Sequence, residues 1–311
     1  MKYKSYIYKW LINKKDYIKE STYANYSNII FNYIIPKLGN YNTKKINYNV
    51  VQEFITFLYN YKKLSVKTIK DVISIVKMSL KDFSYKSINY KFNYPKEKEI
   101  KKVNILSKEE QNKIVKYIFD NINYKNIGIL LSLTLGIRIG ELCALKWDDI
   151  DLDNETININ KTIQRIYTKD FTKIKTKILI SNPKSLNSNR IIPLNVDLIN
   201  LFCKLKNHNN YYFLTGNENY IEPRNYRNYF NKVLEDLNIK HYKFHTLRHT
   251  FATNCIELGF DYKVVSEILG HSNINTTLNI YVHPKLSLKK ECIKSIYDNI
   301  KWCKIAVNFI K

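Results

Sequence analysis

Arginine is the scarce cation of this chain. Its 311 residues include six Arg against forty-five Lys, so basic positions have drifted toward lysine, alongside an abundance of Asn, Ile and Tyr. An arginine that persists in such a background is a candidate for work that lysine cannot do, because only the planar guanidinium grips two oxygens at once. Cysteine is sparse too. The five present (Cys143, Cys203, Cys255, Cys292 and Cys303) are odd in number, scattered, and form no C-x-x-C pair. That pattern speaks for reduced thiols in a cytosolic compartment and against a zinc ribbon. No apolar run approaches the length of a bilayer span. The opening stretch MKYKSYIYKWLINKK is broken by Lys every few residues and so lacks a secretory apolar region. Acidic residues are few, 27 against 51 Lys and Arg, leaving a net charge of +24. Such an excess implies a polyanionic partner, either nucleic acid or an anionic membrane surface. The missing membrane features favour nucleic acid, in the cytoplasm.

The apolar content of 45% is ample for packed cores, and the length suits two domains. Residues 1–102 hold twenty-one Lys, no Arg and seven Asp or Glu. Their pattern is helical: Ser21 and Thr22 read as an N-cap before YANYSNIIFNYII, with Pro36 and Gly39 as stop signals. NVVQEFITFLYNY and LSVKTIKDVISIVKMSLKDF repeat apolar residues at spacings of three and four. The charged, proline-containing segment NYPKEKEIKKVN, residues 93–104, reads as a linker. Beyond it, Ser107 and Glu110 form a capping box, and helix is expected to run on through IGILLSLTLGIRIGELCAL. TININ, KTIQRIYT and RIIPL have β-branched strand character. Helix returns from VDLINLFCKL onward. The expected fold is mainly α with a small β-sheet, built as a helical domain over 1–100 and a second domain over 101–311. No internal repeat is apparent.

Three stretches could carry chemistry. In TLGIRIGEL, Arg138 and Glu141 are three apart, on one face of the expected helix, with Gly136 and Gly140 leaving room for a close approach. The plainer reading is a surface ion pair. In HTLRH, His245 and Arg248 share a helical face and His249 lies four on from His245. This fits a zinc site, a buried helix with satisfied histidines, or an anion site in which Arg248 grips an oxyanion beside His245. The zinc reading is weakened because Thr246 stands where a metalloprotease helix needs Glu, and no third ligand is signalled. In EILGHSNINTTLNIYVH, Gly270 ends a helix, His271 follows, and Tyr281 comes ten residues later.

Taken in order, Arg138 with Glu141, HTLRH, LGH and IYVH resemble the tyrosine recombinase (phage integrase) family. The likeness runs through nearly forty consecutive residues of HTLRHTFATNCIELGFDYKVVSEILGHSNINTTLNIYVH. NPKSLNSNRIIPL is similar to that family's β-hairpin and singles out Lys184 among many lysines. STYANYSNIIFNYIIPKLGNY looks like its core-site-binding domain, so the resemblance covers about residues 5–290. It implies a C-shaped two-domain clamp on double-stranded DNA, a helical SAM-like domain followed by a catalytic domain, and strand cleavage through a 3′-phosphotyrosine without metal or nucleotide cofactor. Tyr281 would be the nucleophile, and Arg138 and Arg248 the phosphate clamp. Lys184 would be the general acid, unless it is one more lysine on backbone phosphate. His245 would donate to the phosphate or take the phenolic proton, and His271 would bond a non-bridging oxygen. Glu141 and His249 would support the cluster.

The same resemblance implies a homotetramer on paired sites, strand exchange through a Holliday junction, and accessory DNA-bending proteins. The segment LKKECIKSIYDNIKWCKIAVNFIK would dock on a neighbouring protomer or pack on its own domain. No arm-site-binding domain is expected ahead of the helical one. Competing readings are a chromosome-dimer resolvase of the same chemistry, a DNA-binding protein that kept the fold without activity, a type IB topoisomerase and a zinc hydrolase.

Overall fold

A computed structural model describes residues 1–84, 91–96, 104–169, 174–181, 189–205, 210–271, 273–275 and 277. The chain is mainly α-helical, as the sequence pattern implies, and its strands form two small sheets where one was expected. It divides into two compact units, Met1–Lys102 with Ile163–Ser181, and Val103–Thr162 with Asn182–Lys311.

In the first unit, α1 (Tyr3–Lys14), α2 (Glu20–Ile29), α3 (Ile35–Leu38), α4 (Tyr48–Asn60) and α5 (Val66–Ser84) enclose one apolar core. α4 buries Val51, Phe54, Ile55 and Leu58, and α5 buries Ile69, Val72, Ile73 and Val76. These are the three- and four-residue spacings that put side chains on a single stripe. Asn47 caps α4, its side chain accepting from the Val50 N–H at 3.2 Å. The N-cap expected at Ser21 and Thr22 is displaced: α2 begins at Glu20, with both hydroxyl residues inside its first turn. Pro36 does not stop the helix either. Residues Ile30–Ile34 form a π-turn in which the Ile35 N–H reaches back to the Ile30 carbonyl. This wider turn precedes the proline, which has no N–H to give and whose ring crowds the carbonyl four residues back. The start of the expected linker is tethered within this unit: Gln52 donates to the Asn93 carbonyl at 2.8 Å and accepts from its N–H at 3.0 Å. Residues 97–103 of that linker lie outside the described residues.

The second unit begins with α6 (Lys108–Asp120), whose capping box forms as expected. The Glu110 N–H bonds the Ser107 hydroxyl at 3.2 Å, and the Glu110 carboxylate accepts the Ser107 N–H at 2.8 Å. α7 (Tyr124–Leu135) is the central element, with every residue from Asn126 to Leu133 buried. Gly128 permits this, because a Cβ there would stand 2.3 Å from Leu214 and 2.4 Å from the Tyr226 hydroxyl. The continuous helix expected through TLGIRIGEL is broken. Gly136 takes a left-handed conformation (φ +66°) that closes α7, and a new helix, α8 (Ile139–Ala144), starts with Arg138 as its N-cap.

Strands β1 (Ile150–Asp151), β2 (Thr156–Ile159), β3 (Thr162–Lys169), β4 (Ile174–Ser181) and β5 (Arg190–Pro193) follow. β1, β2 and β5 form a three-stranded antiparallel sheet in which Ile159 faces Arg190 and Ile157 faces Ile192. β3 and β4 pair separately. Helices α9 (Val196–Leu205), α10 (Pro223–Asp236), α11 (His245–Glu257) and α12 (Tyr262–Leu269) complete the described fold. α11 packs on α7, burying Leu247, Arg248, Thr250 and Ala252. Among the described residues no helix is long and apolar enough to cross a membrane.

Candidate functional site

Two left-handed glycines build the site. Gly136 ends α7 and Gly270 ends α12, at φ +66° and +64°. In α12 the cap pairs the Glu267 and Ser266 carbonyls with the Gly270 and His271 N–H groups, and the carbonyls at the very end are left to other donors. Arginines supply them. Arg248, only 1% exposed, donates from Nη1 to the Gly136 carbonyl at 2.8 Å and from Nη2 to the Leu269 carbonyl at 2.6 Å. Arg138 donates from Nη2 to the Gly270 carbonyl at 2.9 Å. The guanidinium planes are thereby fixed against the turn that carries His271.

Glu141 is the counter-charge. It is 4% exposed, so it is not part of a surface pair. Oε2 accepts the Arg138 N–H at 3.0 Å, capping α8, and Oε1 accepts Arg138 Nη1 at 2.6 Å. Arg190, the first residue of β5, donates to both oxygens, Nη1 to Oε1 at 3.1 Å and Nη2 to Oε2 at 2.9 Å. Burial alone would raise the Glu141 pKa. The hydrogen bonds and charge of Arg190, with the charge and N–H of Arg138, outweigh that and hold it below the usual carboxylate value.

The histidines complete the cluster. His245, the first residue of α11, stands with its ring perpendicular to that of His249 at a centroid distance of 4.5 Å. Burial, reinforced by His249, Arg248 and Arg138, lowers its pKa to about 4. His271 pairs through Nδ1 with the Thr277 hydroxyl at 2.8 Å. Burial and then the charges of Arg248 and Arg138 lower its pKa to about 3. His249 is lowered by burial and Arg248. At neutral pH His245 and His271 are therefore uncharged, each with one N–H donor and one acceptor nitrogen. Among the described residues no group of three or more His, Cys, Asp or Glu side chains is placed to hold a metal.

Arg138, Glu141, His245, Arg248, His249 and His271 thus come together from three places: the start of α8, α11 and the turn after α12. Lys184 and Tyr281 lie outside the described residues, as does the C-terminal segment from 278 onward. Arg190 was not among the expected site residues. Two signals mark it: it is one of only six arginines, and the in–out alternation of β5 turns it inward beside Ile192. Arg165, Arg224 and Arg227 are exposed, so the buried arginines among the six are Arg138's two partners in the cluster, Arg190 and Arg248.

The arrangement is a cluster of three fixed guanidiniums, two of them on one buried carboxylate, with neutral imidazoles beside it. Comparison with known proteins bears on the family and the fold. The sequence profile described as the phage integrase family matches residues 96–287, and that of the phage integrase N-terminal SAM-like domain matches residues 2–59. A tyrosine recombinase XerC-like protein of Caldanaerobacter subterraneus subsp. tengcongensis is 33% identical over 225 residues, 66% of this chain and 56% of that protein. The chain spans about half the length of the curated relatives it first matches. Among solved structures, the Tn1549 transposon integrase in complex with transposon right end DNA superposes with a TM-score of 0.75. It is 20% identical, and the match covers 95% of this chain and 99% of that one. A lambda integrase tetramer bound to a Holliday junction gives 0.61 at 15% identity, covering 92% of this chain and 80% of that one.

Proposed function

The chain belongs to the phage integrase family, and on that premise we propose that it is a site-specific DNA recombinase. It cleaves and rejoins duplex strands through a 3′-phosphotyrosine and exchanges them by way of a Holliday junction. The carrying observation is the convergence of Arg138, Arg248, His245 and His271, with Arg138 held by buried Glu141. A phosphodiester gains charge on its non-bridging oxygens at the transition state, and pre-oriented guanidiniums stabilise that charge without reorganising.

On this reading Tyr281 attacks the scissile phosphorus, the phosphorus–5′-oxygen bond breaks, and Lys184 gives the departing oxygen its proton. The protein–DNA ester conserves the bond, so no nucleotide or metal cofactor is required. Arg138 and Arg248 clamp the phosphate. His245, neutral at working pH, accepts the phenolic proton or donates to the phosphate, and His271 bonds a non-bridging oxygen. Glu141 and His249 support the cluster. Double-stranded DNA is the partner that a net charge of +24 fits, and lysines of the first unit neutralise its phosphates. Assembly as a homotetramer on paired sites, with accessory DNA-bending proteins, completes the proposal; the fold shared with the lambda integrase tetramer supports it.

Chromosome-dimer resolution by the same chemistry is the second reading, supported by the XerC-like relative. The likeness to a transposon integrase supports integration or excision of a mobile element. A nicked suicide duplex tests the enzyme itself. A denaturation-resistant protein–DNA adduct is expected, and it is lost in Tyr281→Phe. DNA binding without any adduct would leave a binding protein that kept only the fold.

A further inference from the structure

Arg190 takes no part in the chemistry just described, yet it is more completely enclosed than Arg138. Its side chain is 6% exposed, against 32% for Arg138. Its main chain is held by β2, opposite Ile159. From one plane its side chain reaches both oxygens of Glu141 and, through Nε, the Ile268 carbonyl at 2.5 Å. Ile268 lies in the last turn of α12, immediately before the Leu269 and Gly270 carbonyls that receive Arg248 and Arg138. A single guanidinium therefore ties the sheet, the cap of α8 and the end of α12 together.

We propose that Arg190 is a positioning residue for the reacting phosphate: by holding Glu141 at both oxygens and the α12 end at Ile268, it sets the place of the Arg138 guanidinium. This rests on the recombinase reading above. The geometry carries it. Glu141 meets Arg138 twice, at its N–H and at Nη1, so a rotation of the carboxylate moves the Arg138 fork. Without Arg190 the carboxylate would be free to turn toward Arg138 alone. A lysine at 190 would keep the charge but could not reach two carboxylate oxygens and a carbonyl from one rigid plane. A catalytic group misplaced by about 1 Å loses on the order of 100-fold in rate.

The test is single-turnover cleavage of a suicide duplex by Arg190→Lys, with the full chain, on two substrates. One carries the normal scissile phosphate; the other carries a methylphosphonate, in which one charged oxygen is replaced by methyl and the need for a cation clamp is reduced. Arg190→Lys is expected to lose about 10- to 100-fold on the phosphate and to recover much of that loss on the methylphosphonate, in parallel with Arg138→Lys. DNA affinity should stay at the wild-type value. An equal loss on both substrates would mean a merely structural role and would overturn the inference, as would wild-type cleavage by Arg190→Lys. If Arg190→Lys does not fold, Glu141→Gln with Arg190→Gln removes both charges of the buried pair and leaves only Arg138, one-third exposed, without its carboxylate; it should show the same selective recovery, and wild-type cleavage by it would overturn the inference. Failure of the wild type to form any adduct would instead overturn the recombinase reading, and this inference with it.

Discussion

Replacing Glu141 by Gln changes one atom and removes the only carboxylate described in contact with Arg138 and Arg190. The carboxylate accepts four hydrogen bonds, at 2.6, 2.9, 3.0 and 3.1 Å, three of them from guanidinium nitrogens. An amide has one acceptor oxygen, and its NH2 would be turned toward an Arg190 donor. Glu141 and the Arg190 side chain are 4% and 6% exposed, so water cannot repair the mismatch. Removing one member of such a buried pair costs about 3–5 kcal/mol, chiefly because the partner charge is left uncompensated. Arg138, one-third exposed, regains water and adds less. For a unit of this size the loss corresponds to a fall in Tm of roughly 6–20 °C. The assay is thermal unfolding followed in the near-ultraviolet, where the Tyr124, Trp147, Phe202 and Phe213 ring cluster of the second unit reports. A fall of less than about 2 °C would show that Glu141 is not the buried counter-charge described above, and the account of the site would fail with it.

Arg248→Lys should abolish most strand cleavage while DNA binding persists, since a lysine cannot hold the Gly136 and Leu269 carbonyls and also present a fork; near-normal adduct formation would count against the clamp. Gly136→Ala should destabilise the second unit by about 1–2 kcal/mol for the left-handed backbone alone, and by more if Leu269 and Phe251, 2.7 Å from the new methyl, cannot shift; a urea midpoint unchanged from wild type would refute this. Stability should fall on acidification from pH 6.5. The unfolded chain protonates its histidines first, at about 6.5, whereas folded His245 and His271 resist until about 4 and 3, so protons favour the unfolded state across that window. Glu141 acts in the same direction lower down: its folded pKa lies below the ordinary 4.5, so its contribution is complete above that value and is lost as pH falls through the folded one. Urea midpoints between pH 7 and 4 check this, and a flat profile would contradict it. DNA affinity should drop steeply with salt, and a shallow slope would show that the lysine excess does not meet phosphates.

Much of this protein is written locally. Apolar spacings of three and four mark α4 and α5, the Ser107–Glu110 pair marks the start of α6, and β-branched runs mark β2, β3 and β5. These features depend on residues a turn apart, so composition and spacing suffice to read them. That Arg138, Glu141, His245, Arg248 and His271 lie near one another is expected from the resemblance of their motifs, taken in order along the chain, to those of one family. Their arrangement is not. The break at Gly136 looks like helix by periodicity, and only the meeting of α7 with Leu269 and Phe251 shows why the chain turns there. Likewise, the continuation of helix past Pro36 required a π-turn that no local pattern announces. Arg190 is the clearest case. Its contacts lie 49 and 78 positions away, at Glu141 and Ile268. A charge becomes a buried, committed charge only when distant elements close over it, and that closure is a property of the tertiary fold.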